Sequence, residues 1–328
     1  MPVPPSNRRQ WLAMGTALIS LSCAASAAST TYPSKPLRIL VPYAAGGASD
    51  NIARQIAAAI TGQTGQAVVV DNRPGGSGVI AVQALQAAPA DGHTFAVFDP
   101  SVASMNPFLF KKLAYDPERA LVPVTVLARN PIALVALPSF PAGSVRELVA
   151  HARSHGDLSY ASTGNGNGTN LAMEMFLAGS AIQMVHVPYK GSAPAMQALL
   201  AGQVPVFMSD LPTVVPYARS GKVRVIAVTG DRRSPHLPDV PTFAEAGARG
   251  VEIANHFSAF VAGGTPAAVV EQLNAVLHKA LADPRLQKNF SEMALEVSPS
   301  TPQQLQAMVR DDSEKYGAVI RRLNLSID

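Results

Sequence analysis

The sequence is poor in charged residues and in cysteine. Of its 328 residues, 15% are charged, against about 25% in an average soluble protein, and it has one cysteine and one tryptophan. Outside residues 11–28, charged residues, proline or glycine interrupt every apolar run before it reaches the roughly 18 residues of a membrane-spanning helix. This pattern excludes a polytopic membrane protein, and the 48% of hydrophobic residues exclude a disordered chain.

The first 28 residues have the pattern of a secretory signal peptide. Arg8-Arg9 provides the positive segment, residues 12–22 the apolar segment, and Ala25-Ser26-Ala27 the small-residue cleavage motif. We therefore predict a periplasmic protein, and export through a general or a twin-arginine signal is equally compatible with this segment. A lipoprotein anchor at Cys23 and an anchor that is never cleaved are the two alternatives.

Cleavage after residue 28 removes the cysteine and lowers the formal net charge from +4 to +2. The mature chain then has no disulfide, no thiol nucleophile and no cysteine metal site. Its near neutrality and its lack of a lysine or arginine run argue against nucleic-acid binding. Among the seven histidines, His151 and His155 are four apart, but Gly156 ends their helix. We predict neither a metal nor a cofactor.

Short β-branched runs alternate with amphipathic segments along the mature chain. The predicted strands cover residues 37–41, 68–70, 94–98, 122–127, 132–137, 158–161, 184–187, 204–208, 223–228 and 257–261. The predicted helices cover residues 51–60, 78–86, 145–154, 169–178, 193–201, a short segment ending at 246, 267–281, 284–293 and 302–323. This alternation is typical of βαβ units, and it predicts mostly parallel sheets in an α/β fold.

The same pattern divides the chain into two α/β domains. Two apolar runs separated by Asn130-Pro131 fit a strand that passes between domains, and residues 257–261 fit a second crossing. The predicted first domain covers residues 29–128 and 254–328, and the second covers residues 129–253. Two domains that are crossed by two strands leave a cleft between them.

Three glycine-rich loops follow predicted strands, over residues 44–50, 72–78 and 162–170. Ligands of open α/β sheets bind beyond the carboxyl ends of the strands. Glycine lets the backbone approach a ligand, and a helix N-terminus directs free N–H groups at an anion. The first and third loops, one from each domain, therefore predict a clamp for a small anion, whereas the second is typical of a turn. None has the spacing of a Rossmann loop, a P-loop or a nucleophile elbow.

A series of short motifs runs through nearly the whole mature chain. They include Val41-Pro42-Tyr43, Asp71-Asn72-Arg73-Pro74-Gly75, Asp91-Gly92-His93-Thr94, Tyr115-Asp116-Pro117, His186-Val187-Pro188-Tyr189-Lys190-Gly191 and Leu237-Pro238-Asp239-Val240-Pro241-Thr242. Together they resemble the Bug-type receptors, the substrate-binding family of tripartite tricarboxylate transporters. The resemblance implies a type II periplasmic binding fold, a small carboxylate ligand held largely by backbone N–H groups, and a transporter partner in the membrane. The ligand class includes organic acids, amino acids and aromatic acids, and we expect a monomer.

The predicted ligand contacts come from the two clamp loops and from neighbouring strand ends. They are Ala44, Ala45, Gly46, Gly47, Ala48, Ser49, Asp50, Ser101, Ser162, Thr163, Gly164, Asn165, Gly168, Thr169, Asn170, Tyr189, Asp210 and His256. Asp50 either caps its helix or meets a polar ligand group, and the second role favours an amino acid or a protonated ring nitrogen. His256 either meets the distal end of the ligand or packs within a crossing strand. Ala45, Asn170, His256 and Ser258 depart from the usual residues of the family.

Two other functions are compatible with the sequence. A hydrolase needs a nucleophile within reach of a base, and Ser101 or Ser162 with His186 or His256 is conceivable, although no spacing supports the pairing. A sensory receptor that presents its ligand to a signalling partner needs the same closure of two domains. The sequence does not distinguish it from a transport receptor.

Overall fold

The computed structural model describes residues 1–2, 32–253 and 255–327. The predicted signal peptide lies almost entirely outside the described residues, so its cleavage stays a prediction. None of the helices within the described ranges is both long and apolar enough to cross a lipid bilayer.

Two sheets organise the chain into two lobes, which we define as lobe 1, residues 32–130 and 255–327, and lobe 2, residues 131–253. The strands are β1 Leu37–Val41, β2 Val68–Asn72, β3 Thr94–Phe98, β4 Leu121–Asn130, β5 Ile132–Ala136, β6 Ser159–Ser162, β7 Val185–Pro188, β8 Val206–Asp210, β9 Arg224–Val228, β10 Asn255–Ala262 and β11 Glu296–Val297. The sheet of lobe 1 has the order β11-β4-β10-β3-β1-β2, and that of lobe 2 has the order β7-β6-β8-β5-β9.

Helices cover the faces of both sheets. They are α1 Ala48–Thr64, α2 Val79–Gln86, α3 Asn106–Leu109, α4 Pro117–Ala120, α5 Val145–Ser154, α6 Gly168–Ser180, α7 Ser192–Leu200, α8 Leu211–Arg219, α9 Ala267–Leu281, α10 Pro284–Glu292 and α11 Pro302–Arg322. A 3₁₀ turn precedes α2, and a π-helical turn over Ser101–Met105 leads into α3.

Both sheets are mixed, so the prediction of mostly parallel sheets is wrong. β1 pairs in parallel with β2 and β3, and β6 pairs in parallel with β7 and β8, as βαβ units require. β10 instead runs antiparallel to β3 and β4, and β5 runs antiparallel to β8 and β9. The reason is that a strand crossing from the other lobe begins at the edge where the neighbouring strands end.

The two crossings lie side by side. β4 ends at Asn130 and β5 begins at Ile132, while β10 begins at Asn255, which pairs with Asn130. Ile132 pairs with Asp210 at the end of β8, so the strand ends of lobe 2 reach the same region. The fold is thus two α/β lobes joined by two crossing strands, with a cleft between them, as the sequence predicts. The exact domain limits at residues 129 and 254 stay predictions.

Two local predictions differ from the structure. The short helix predicted to end at Ala246 is wrong, because residues 243–247 form turns between a bridge at Thr242 and the positive φ of Gly247. α8 was not predicted, because a proline at position 216 inside a helix loses a backbone hydrogen bond. The helix forms nonetheless, since its apolar face packs into the core of lobe 2.

The C-terminal segment contacts both lobes. Leu305 near the start of α11 packs into the core of lobe 1, whereas Tyr316 and Ile320 belong to a core cluster formed largely by lobe 2. Beyond the helix, Ile327 lies against Gly166 of lobe 2, where a Cβ would come within 2.7 Å of the Cδ1 of Ile327. The last helix therefore does not belong to the packing of lobe 1 alone.

Gly263 packs directly against backbone, and its replacement is expected to destabilise the fold. A Cβ there would lie 1.8 Å from the carbonyl oxygen of Arg119, which cannot move without displacing α4. We expect Gly263→Ala to lower the free energy of unfolding by about 2 kcal/mol, measured by denaturant unfolding. Gly62→Ala is the matched control, because Gly62 lies inside α1 with no atom within 4 Å of its Cβ position. Alanine should stabilise that helix by about 0.5 kcal/mol, and equal effects at the two sites would contradict the prediction.

Candidate functional site

The facing edges of the two lobes enclose a small cavity, which we call the cleft cavity. Its lining residues are Tyr43, Ala48 and Ser49 from lobe 1 and Thr163, Ser192 and Asp210 from lobe 2. Its volume is about 10 Å³, close to the space that one water molecule needs. A larger ligand therefore enters when the lobes move apart, and the walls of the cavity have to yield when the lobes close on it.

Three helices begin at the cleft cavity. α1 begins at Ala48 and α7 at Ser192, and neither N-cap residue, Gly47 or Gly191, supplies a side-chain hydrogen bond. α8 begins directly after Asp210, whose carboxyl group does not cap it either. The first N–H groups of a helix have no partner within the helix and carry its partial positive charge. The N–H of Leu211 at the start of α8 is already paired with the carbonyl oxygen of Pro131, but together the three helix ends still direct hydrogen-bond donors and partial positive charge at the cavity.

The lobes meet through the first glycine-rich loop. The N–H of Ala48 donates to the Oγ of Ser192 across the cleft at 3.1 Å, and the N–H of Ala44 donates to the carbonyl oxygen of Lys190 at 2.8 Å. Gly47 lies between these contacts, and a Cβ there would lie 2.9 Å from the Oγ of Ser192. Glycine at this position lets the two lobes approach closely.

Asp50 lies buried behind this loop. Its carboxylate accepts hydrogen bonds from the N–H of Gly46 at 2.9 Å, the Nε of Arg54 at 2.9 Å and the Nδ2 of Asn72 at 3.0 Å. Burial alone raises the pKa of Asp50, but the hydrogen bonds from Arg54, Gly46 and Asn72 hold it below its ordinary value. Asp50 thus orders the loop, which is neither of its two predicted roles, and its contact with a ligand stays a prediction.

Two further carboxyl groups are buried here: Asp210 lines the cavity, and Asp99 bonds to the lining residue Tyr43. Asp210 is 8% exposed and accepts a hydrogen bond from the Nδ2 of Asn255 at 2.6 Å. Asp99 is 6% exposed and accepts hydrogen bonds from the hydroxyls of Tyr43 and Ser101 and, at 2.9 Å, from the N–H of Ser101. Burial and the negative charge of Asp99 raise the pKa of Asp210 to about 7. In the described part of the chain, no three acidic, histidine or cysteine residues are grouped as in a metal site.

The third glycine-rich loop is held by its own hydrogen bonds. The N–H of Thr163 donates to the Oγ1 of Thr169 at 3.0 Å, and the N–H of Gly166 donates to the Oδ1 of Asn170 at 2.9 Å. Asn167 caps α6 by accepting the N–H of Asn170 at 3.1 Å. Much of the backbone that was expected to hold an anion is therefore already paired, and Thr163 is the loop residue that lines the cleft cavity.

The other predicted contacts do not line the cavity, and their contact with a ligand stays a prediction. In the first loop they are Ala44, Ala45, Gly46, Gly47 and Asp50; elsewhere they are Ser101, Ser162, Gly164, Asn165, Gly168, Thr169, Asn170, Tyr189 and His256. Three residues at the site were not predicted, namely Tyr43, Asp99 and Ser192. Each comes shortly after the end of a strand, which is the signal that could have identified them.

His256 lies beneath α11. Its Nδ1 is 2.8 Å from the Oγ of Ser258, and its Nε2 is 3.1 Å from the carboxylate of Asp312. A serine, a histidine and an aspartate in this order are the groups of a hydrolase triad. However, Ser258 is 0% exposed and does not line the cleft cavity. His256 thus packs within a crossing strand, the second of its two predicted positions.

A second serine–histidine pair supports the third glycine-rich loop. The Oγ of Ser162 is 2.7 Å from the Nε2 of His186, and burial lowers the pKa of His186 to about 4. The other ring nitrogen faces the amide of Asn170 at 3.5 Å, where a catalytic triad has a carboxylate. Ser162 is fully buried and bonds to Gly164 as well, so the pair holds the loop.

Comparison with known proteins identifies the family. The model of the "Tripartite tricarboxylate transporter family receptor" matches residues 52–325. The protein BugT of Bordetella pertussis is 31% identical over 312 residues, which cover 94% of this chain and 95% of that protein.

Two solved structures show the same architecture. The structure of R. palustris Rpa4515 with adipate has a TM-score of 0.86 at 32% identity, covering 90% of this chain and 100% of that chain. MatC of Rhodopseudomonas palustris with bound malate has a TM-score of 0.84 at 29% identity, covering 88% and 100%. These similarities extend over both lobes and confirm the resemblance seen in the sequence motifs. The chain therefore belongs to the tripartite tricarboxylate transporter receptor family, as a periplasmic binding protein of the Bug type.

Proposed function

We propose that the protein captures a small carboxylate between its lobes in the periplasm and delivers it to a tripartite tricarboxylate-type transporter in the membrane. One observation carries this proposal: the N-termini of α1, α7 and α8 converge on the cleft cavity, and no N-cap residue of the three supplies a side-chain hydrogen bond to its helix. Such N-termini are ready-made sites for anions. Among the described residues, no lysine or arginine lines the cavity, so backbone donors have to supply the attraction.

Backbone donors are sufficient for tight binding. A hydrogen bond to a charged group contributes roughly 1.5–3 kcal/mol. Four or five such bonds, less the loss of freedom on binding, reach the roughly −8 kcal/mol of a micromolar dissociation constant. Because Ala48 and Ser192 come from opposite lobes, a ligand that bonds to both stabilises the closed arrangement.

The related structures support the class of ligand. Rpa4515 with adipate and MatC with bound malate both hold small dicarboxylates, and both resemble this chain over their full length. The predicted signal peptide and the periplasmic location of the family support capture outside the cytoplasm. We propose transport rather than sensing, because the matching family is one of transporter receptors.

We infer that the ligand is bound without being converted. Ser162 and Ser258 are both fully buried and do not line the cleft cavity, so neither serine presents its hydroxyl to a bound acid. Incubation of the protein with its acid, followed by NMR of the released ligand, should return the acid unchanged. A chemically altered product would contradict this inference and favour the hydrolase.

Thermal unfolding of residues 29–328 with a panel of mono-, di- and tricarboxylates and amino acids tests carboxylate capture. A ligand that binds only the folded protein raises the melting temperature. We expect at least one acid to raise it and the neutral amide of that acid to leave it unchanged. If no acid raises the melting temperature, carboxylate capture is wrong. A deletion strain should lose uptake of the same acid with its gene regulation intact, whereas the reverse result would favour a sensor.

A further inference from the structure

We infer that the ligand carries a protonated nitrogen beside its carboxylate, and that Asp210, supported by the charge of Asp99, receives this nitrogen. The inference rests on the proposed function and narrows its ligand class to zwitterionic acids, of which α-amino acids are the simplest. It arises from the charge of the cleft cavity, which combines donors for an anion with the buried acidic side chain of Asp210, while Asp99 lies one hydrogen bond behind the lining residue Tyr43.

The two acidic side chains have no cationic partner in the protein. Among the described residues, no lysine, arginine or histidine forms an ion pair with Asp99 or Asp210. Both are more than nine-tenths buried, and they lie close enough for the charge of Asp99 to act on Asp210. Burying two like charges is unfavourable unless a positive group compensates them.

Asp50 shows the contrast within the same site. Its carboxylate is equally buried, but the guanidinium of Arg54 pairs with it at 2.9 Å and neutralises its charge. The hydrogen-bond partners of Asp99 and Asp210 are neutral, namely Tyr43, Ser101 and Asn255. Neutral donors satisfy the lone pairs of a carboxylate but do not compensate its charge. Without a ligand, a proton on Asp210 relieves the repulsion between the two carboxyl groups, and a ligand ammonium would take the place of this proton.

Ser49 points to a ligand independently of the acidic pair. It is 4% exposed and lines the cleft cavity, and its hydroxyl has no hydrogen-bond partner among the described residues. This hydroxyl, on an otherwise buried side chain that lines the cavity, is available to a ligand there. Ser49 also lies in the first turn of α1, where backbone N–H groups are free to bind a carboxylate.

These features lie within one small space. A carboxylate that bonds to Ser49 and the start of α1 brings the neighbouring atoms of the ligand next to Asp210, which lines the same cavity. In an α-amino acid the ammonium group is one carbon away from the carboxylate, so both groups reach their partners together. A plain diacid brings more negative charge to the acidic pair and gains no compensation.

Three series of acids that differ by one substituent test the inference by calorimetry on residues 29–328. Each keeps its carbon skeleton and carries hydrogen, hydroxyl or ammonium at C2: propionate, lactate and alanine; succinate, malate and aspartate; glutarate, 2-hydroxyglutarate and glutamate. We expect the ammonium member of at least one series to bind more tightly than its two counterparts, by about tenfold or more.

The outcomes separate this inference from the proposed function. If hydroxyl members bind as tightly as ammonium members, a neutral donor is sufficient and the inference is wrong. The inference is also wrong if the hydrogen members bind as tightly as the ammonium members, or if the acids that bind include no ammonium member. In both cases carboxylate capture stands. If no acid of the wider panel binds, both proposals fail.

Two variants locate the charge recognition. Asp99→Asn and Asp210→Asn each remove one negative charge with little change in shape. We expect each to weaken binding of the ammonium member about tenfold or more, and to leave or improve binding of the hydrogen member. Asp311→Asn, at an exposed position of α11, is the matched control and should change neither affinity. Equal losses for all members in the Asp99 and Asp210 variants would show a merely structural role and overturn the inference.

Discussion

Replacing Gly47 with leucine is expected to weaken ligand binding about 100-fold while both lobes stay folded, because the closed arrangement becomes rare and the apparent dissociation constant rises in proportion. Gly47 has φ −82° and ψ 179°, which any residue adopts, so leucine strains no backbone there. Its Cβ would lie 2.9 Å from the Oγ of Ser192 in the opposite lobe. The added side chain therefore occupies the space where the lobes meet.

Calorimetry with the acid identified by thermal unfolding measures this effect. Gly47→Ala should give an intermediate loss of about tenfold, since only one carbon is added and the hydroxyl of Ser192 is able to rotate. Gly62→Leu is the control on the same helix, because no atom lies within 4 Å of that Cβ position. Unfolding without ligand should be nearly unchanged by Gly47→Leu. Undiminished binding by this variant would show that binding does not require the lobes to meet.

The second large effect is expected in the pH dependence of stability. The pKa of Asp210 is raised to about 7 in the folded protein by burial and by the charge of Asp99, whereas an unfolded aspartate has a pKa of about 3.9. Between these values the folded protein holds a proton that the unfolded chain has released. The resulting stability is complete below about pH 4 and is lost as the pH rises through about 7, a total of up to about 4 kcal/mol.

Asp210→Asn removes this titration and keeps the shape of the side chain. We compare the free energies of unfolding of the variant and the wild type by denaturant unfolding without ligand. This difference should shift in favour of the variant by about 2–3 kcal/mol when the pH is raised from about 5 to about 8. Asp311→Asn should show no such pH-dependent difference. If Asp210→Asn differs from the wild type by the same amount at both pH values, Asp210 does not titrate in this range.

Much of the fold could be predicted because its signals are local. β1, β3 and α9 have the limits predicted from buried apolar runs and from the glycine or proline residues beside them. The direction of β10 could not be predicted, because it depends on which edge of the sheet the chain reaches after leaving lobe 2. The packing of Tyr316 against lobe 2 has the same origin, since nothing in the sequence of α11 indicates which lobe its end meets.

The site was predictable only in part, for a related reason. Glycine next to a strand end identified the first loop, and the structure places Ala48 and Ser49 of that loop at the cleft cavity. Ser192 has no local pattern, and its hydroxyl meets the N–H of Ala48 across 144 residues of sequence. In the third loop, amide side chains such as that of Asn167 already bond to backbone groups that were predicted to bind the ligand, so the contact of this loop with a ligand stays a prediction.

The C-terminal segment connects the two lobes in addition to the two crossing strands. α11 is anchored on lobe 1, and beyond it Ile327 donates its N–H to the carbonyl oxygen of Leu109 at 3.0 Å while its side chain rests on Gly166 of lobe 2. When the cleft opens, the side chain of Ile327 therefore has to move relative to Gly166, which has no side chain of its own. The chain end thus adds a contact between the lobes that opening of the cleft has to disturb. We expect a purification tag fused behind it to disturb the same contact and to change the measured binding kinetics.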